Sequence, residues 1–153
     1  MAFVGNLLWF VFGGGFFAWF CWVVLGLLMA ITVIGIPFAH AAFRIAGFAA
    51  FPFGKELIDS RLIGEERIAG TGFANFLWVI LAGFWLAVSH ALAGLSCCLT
   101  VIGIPFGLAH FKLAGVCFAP LGKRPVSKHL AYAAHMRAAG SDLDGRLGTG
   151  TAT

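Results

Sequence analysis

Two long stretches of this chain carry no Asp, Glu, Lys or Arg: 43 residues from Met1 to Phe43 and 44 from Ile68 to Phe111. About 18 such residues are enough for a transmembrane helix candidate. A water-facing surface needs charge roughly every fourth residue, and here only 10% of residues are charged while 61% are hydrophobic. A soluble globular domain is excluded, and so is a disordered chain, which needs the opposite balance. The chain belongs in a bilayer. Its first stretch does not read as a removable signal peptide, since it has no basic n-region and no small-residue cleavage site.

The two stretches are copies. Asn6-Leu7-Leu8-Trp9 returns as Asn75-Phe76-Leu77-Trp78, 69 residues later. Thr32-Val33-Ile34-Gly35-Ile36-Pro37-Phe38 returns letter for letter at Thr100 to Phe106, with an offset of 68. Across 32–55 against 100–123, 14 of 24 positions are identical, including Gly54-Lys55 against Gly122-Lys123. One residue is lost between the two motifs, and Gly13-Gly14-Gly15 is the expected place. The domain organisation follows: a first repeat over 3–55, a connecting loop over 56–72, a second repeat over 73–124 and a tail over 125–153.

Each repeat has the same grammar. A long aromatic-rich run (Phe3–Ala30; Phe73–Leu99) comes first, 28 and 27 residues long and able to reach about 40 Å as helix against a hydrocarbon core of about 30 Å. Proline removes a helix hydrogen bond and biases the preceding residue toward extended geometry, so Pro37 and Pro105 should each start a second helix. From Pro37 to Phe51 that helix has 15 residues, about 22 Å, too short to span alone. Two readings stay open: a two-pass hairpin that includes the Thr-Val-Ile-Gly-Ile turn, or a re-entrant or interfacial helix. The expected fold is an all-α integral membrane protein of two parallel repeats, each a long transmembrane helix plus a shorter one.

Charge sets the orientation. The turns near Thr32 and Thr100 hold no Lys or Arg, whereas the loop and tail hold eight: Lys55, Arg61, Arg67, Lys123, Arg124, Lys128, Arg137 and Arg146. In the two-pass hairpin reading, the positive-inside rule puts the loop and both termini in the cytoplasm. Because the same end of each half faces the same side, the repeats are parallel.

The repeated segments, each followed by Pro-(Phe/Leu)-Gly-Lys, resemble the YccF family, whose inner membrane component domain occurs as two such repeats. The resemblance covers about residues 3–125. It implies a multi-pass protein of the bacterial cytoplasmic membrane and carries over no catalytic residue.

The remaining two cations, Arg44 and Lys112, occupy matched positions inside the repeats. An isolated cation at the bilayer centre costs at least about 2.5–3.5 kcal/mol. Each therefore snorkels to headgroups or lines a pore in an oligomer. His40 shares a helix face with Arg44, and His110 precedes Lys112 by two; the two histidines do not match across the repeat. His90 sits mid-depth in the third apolar stretch, where an ionisable group bonds a neighbouring helix or serves function. Asn6 and Asn75 are expected to cap their helices or bond across to the other half. Gly83, Ala87 and Ala91 make a small-residue ridge for close helix approach, with Trp19 and Val23 as its large counterparts in the first half.

No catalytic triad, phosphate-cradling glycine loop or zinc motif occurs. The four cysteines form no Cys-x-x-Cys pair and read as buried small hydrophobes. No cofactor, metal or nucleic acid is expected, and no enzymatic activity. Glu65-Glu66 and the rest of the loop read as a solvated face. Val126–Met136 reads as a short interfacial helix, with disorder beyond Gly140. The functional expectation is an oligomeric channel or transporter-like component for a small ion or solute. The competing one is a non-conducting scaffold or regulatory component acting through loop and tail. Partners are the bilayer and, for conduction, further copies of the chain.

Overall fold

The structure, a computed structural model, describes residues 2–67 and 69–147. The first repeat folds as α1 (Ala2–Phe12), α2 (Gly15–Ala30) and α3 (Ile36–Ala50). The second folds as α4 (Thr71–Trp78), one π-helical turn (Val79–Gly83), α5 (Phe84–Cys98) and α6 (Ile104–Cys117). Pro37 and Pro105 stand in the first turn of α3 and α6, where a missing N–H costs nothing.

The first long run is not one helix. It bends by 73° between α1 and α2, and Gly14 sits at φ 84°, a left-handed backbone that glycine adopts without a Cβ penalty. The second run, shorter by one residue at this point, stays continuous from Thr71 to Cys98. It carries a π turn, Val79–Gly83, where the first run kinks. The expectation of two equivalent long helices therefore fails in the first half.

The Asn-x-x-Trp motif has a single job in both halves. A helix leaves its last carbonyls without intrahelical partners. Trp9 Nε1 donates to the Ala49 carbonyl at the end of α3 (2.7 Å), and Trp78 Nε1 donates to the Cys117 carbonyl at the end of α6 (2.8 Å). One turn earlier, Asn6 donates to the Phe53 carbonyl and accepts from its N–H (3.1 and 2.8 Å). Asn75 clamps Leu121 in the same way (3.2 and 3.1 Å). Neither asparagine reaches the other half or caps its own helix. Each closes its own repeat by holding the chain where the second helix ends.

The hairpin tips also match. Thr32 Oγ1 donates to Met29 O and accepts from Gly35 N (both 3.1 Å); Thr100 does the same with Cys97 O and Gly103 N (3.4 and 3.1 Å). The side chains around them, Val33, Ile34, Val101 and Ile102, are almost wholly exposed. A turn whose polar groups are satisfied internally, with apolar side chains outward, suits hydrocarbon. Gly26 and Gly94, again repeat equivalents, let α2 and α5 approach Phe43 and Phe111; an added Cβ at either would come within 2.8 Å of the ring.

Lys55–Asp59 (β1) and Lys123–Ser127 (β2) pair antiparallel, so the loop and tail are not merely irregular and the chain is not purely α. The register puts Leu57 opposite Pro125, its repeat equivalent, with Lys55 opposite Ser127 and Asp59 opposite Lys123. An antiparallel pair centred on equivalent residues has a local two-fold axis through its middle. The core obeys the same relation: Trp9 packs on Phe106 of the other half (6.1 Å between ring centroids) and Trp78 stacks on Phe38 (5.3 Å). Because β1 follows α3 and β2 follows α6, the ends of both second helices lie at one end of the molecule, as parallel repeats require.

A final helix, α7 (Lys128–Leu147), lies on the strands through Ala131 and Ala134, which pack with Ile58. It is longer than the expected segment and continues past Gly140. Ala138 and Ala139 favour helix, and Arg146 pairs with Asp142 four residues earlier at 2.9 Å. Residues 148–153, the remainder of the expected disordered end, lie outside the described residues.

Candidate functional site

The sheet, α7 and the turns around them form a platform over the ends of α3 and α6. Between the platform and α3 lies a cavity of about 300 Å³. Two sequence candidates line it: His40 and Arg44, one helical turn apart on the exposed side of α3. The opposite side of α3 is buried and includes Ala39, Ala42, Ile45, Ala46 and Ala49. Close packing on that side turns Arg44 toward the platform.

The other walls come from the loop, which reads as a solvated face in the sequence, and from Lys123 and Arg124 of β2. Arg124 on β2 forms an ion pair with Glu65 at 2.5 Å. Arg67 is bonded to Asp59, whose other oxygen takes Arg61 at 3.1 Å. Partial burial alone would raise the Asp59 carboxyl; the hydrogen bonds from Arg61 and the charge of Arg67 outweigh it and hold the carboxyl below its ordinary value. Lys123 and Glu66 complete the charged lining. Glu65 and Arg124 are 59 residues apart, and only the strand pairing brings them together. The available signal was the repeat itself, since 55–59 and 123–127 are equivalent segments.

The remaining candidates lie elsewhere. Lys112 is exposed on α6 and lines no part of this cavity; Arg44 and Lys112 share no site within one chain. His90 and His110 are both buried and meet inside the second repeat, Nδ1 to Nδ1 at 3.1 Å. His110 Nε2 lies 3.1 Å from the Gly13 carbonyl at the α1–α2 bend. Gly83 and Ala87 are buried and Ala91 is half-buried. Gly83 packs against the Cys117 carbonyl, so this part of the small-residue ridge serves its own α5–α6 hairpin, while Ala87 belongs to the core cluster on which Trp19 and Val23 pack. Among the described residues, no cluster of His, Cys, Asp and Glu could hold a metal ion.

The repeat pattern has counterparts in known sequences. The inner membrane component domain, YccF, matches residues 4–55 and 73–123. The inner membrane protein YccF of Escherichia coli (strain K12) is 33% identical over 139 residues, which is 88% of this chain and 93% of that protein. Its namesake from Shigella flexneri matches to the same extent. No solved structure matches. With both repeats matched and a relative aligned over nearly its whole length, the chain belongs to the YccF family of integral inner-membrane proteins.

Proposed function

We propose that this protein is a non-catalytic membrane component that scaffolds or regulates a partner through its cytoplasmic platform. The observation that carries this reading is the platform itself. A pore needs only a linker between its repeats, whereas here loop and tail pair as strands, carry α7 and close over Arg44. The eight basic residues of the loop and tail put this platform on the cytoplasmic side. The outer face of α7 offers Tyr132 and Met136, an aromatic and a pliable side chain suited to protein contact.

The conducting reading, an oligomeric channel or transporter-like component for a small ion or solute, draws support from the buried polar chain of His90, His110 and the Gly13 carbonyl. It requires several copies to enclose a path, and the platform reading does not. Two measurements separate them. Photo-crosslinkers placed at Tyr132 and Met136 in cells should give one discrete adduct that a lipid-facing probe at Leu81 lacks. Purified protein in liposomes should pass no ion or solute. Flux that changes in Arg44→Ala or Lys112→Ala would overturn the platform reading.

A further inference from the structure

We infer that the cavity between α3 and the platform binds a phosphate group, held by Arg44, Lys123 and Arg67. Glu65 pairs with Arg124, and Asp59 with Arg67 and Arg61. Arg44 and Lys123 are left lining the cavity without an ion pair among the described residues. Arg67 supplies a third donor: its Nε is buried and has no hydrogen-bond acceptor among the described residues. A side chain at position 122 would close on it, since a Cβ on Gly122 would come 2.7 Å from that nitrogen. A buried N–H without an acceptor is costly, and an arginine N–H more so than most. A turn of the guanidinium toward the cavity would let an oxygen of an entering anion satisfy it.

Shape and charge select the anion. A space of about 300 Å³ admits a phosphate with a small substituent and not a nucleic-acid chain. Guanidinium groups bind phosphate oxygens through charge-assisted hydrogen bonds. Glu66 also lines the cavity but is exposed, so its carboxylate can turn to water. Glu65 is spent on Arg124 and fixes that arginine as a wall. The cavity is lined by α3, the start of α4 and the charged platform, and the charge of the platform suits the membrane surface. The phosphate can therefore belong to an anionic lipid or be free in the cytoplasm. Such a site stands whether or not the platform recruits a protein.

The test uses full-length protein in nanodiscs and reads thermal unfolding together with the mass of the intact complex. One arm titrates inorganic phosphate in phosphatidylcholine discs; the other compares phosphatidylcholine with phosphatidylglycerol discs. At least one arm should raise the unfolding temperature. Arg44→Gln and Lys123→Gln should each weaken the response by about tenfold in concentration, while Arg44→Lys retains most of it. Lys112→Gln, the repeat equivalent outside the cavity, should track the unmodified protein. A response to phosphatidylglycerol alone assigns the site to a lipid headgroup; a response to phosphate alone assigns it to a soluble phosphate. No response in either arm overturns the inference. So does a response that Lys112→Gln weakens as much as Arg44→Gln, because that pattern is diffuse surface charge.

Discussion

His90 on α5 and His110 on α6 face each other through their Nδ1 atoms at 3.1 Å, and His110 continues the chain to the Gly13 carbonyl through Nε2. A carbonyl only accepts, so His110 carries its proton on Nε2, and a neutral His110 must then accept at Nδ1. His90 is therefore the donor, with its proton on Nδ1. The order of protons follows from geometry: it runs from α5, through α6, to the bend of the first repeat. His110→Ala leaves His90 and Gly13 without their partner, and should cost about 1–3 kcal/mol of stability. A double-mutant cycle with His90→Ala should return a coupling of about 0.5 kcal/mol or more. Strict additivity in detergent unfolding would remove the pair from the list of stabilising contacts.

The tryptophan caps are the best-defined repeated contact. Trp9→Phe and Trp78→Phe keep most of the apolar surface and delete one N–H each, stranding the Ala49 or Cys117 carbonyl. Both should destabilise by about 1–2 kcal/mol and by similar amounts. Unfolding midpoints for the two variants check this, and an unchanged midpoint for either would refute the capping role.

Platform stability should fall in acid. Asp59 titrates below its ordinary value in the folded protein, so the unfolded chain takes up its proton first as pH drops. The stabilisation it gives is complete above the unfolded carboxylate value and is lost as pH falls through the lowered folded one. Asp59→Asn should abolish this acid-side slope in a pH series of platform unfolding, leaving neutral-pH behaviour less stable but flatter. Retention of the full slope in that variant would assign it to other carboxylates.

Spin labels can locate the hairpin tips. Val33 and Ile102 flank turns whose hydroxyls and N–H groups are already paired, so nitroxides there should collide with oxygen more readily than with a water-soluble nickel chelate. A label at Tyr132, exposed on α7, should show the reverse. Greater nickel access at the tips would place them in water.

Legibility differed by residue type. The duplication, the membrane setting and the helix starts at Pro37 and Pro105 were readable because hydropathy, repeats and proline act locally. The roles of Asn6 and Asn75 were not, since their partners Phe53 and Leu121 lie 47 and 46 residues away. The fate of Gly13-Gly14-Gly15 was half legible: a one-residue difference was visible there, but not that the first run would bend while the second stays continuous. Arg44 and His40 were identified as candidates. The residues that complete their cavity passed as surface charge, because charge on a loop carries no mark of what it will face.

The chain's lack of charge over its first 43 residues and again from Ile68 to Phe111 determined, without any coordinates, that it lives in a bilayer as a twofold repeat. Solvation decides that much, residue by residue. Which of the matched cations gains a site was decided only by the tertiary structure. The loop that follows β1 closes over Arg44 with Glu65, Glu66 and Arg67, while Lys112 is left outside the cavity. Two repeated sequences thus receive different surroundings, because a single loop and a single tail must serve both halves.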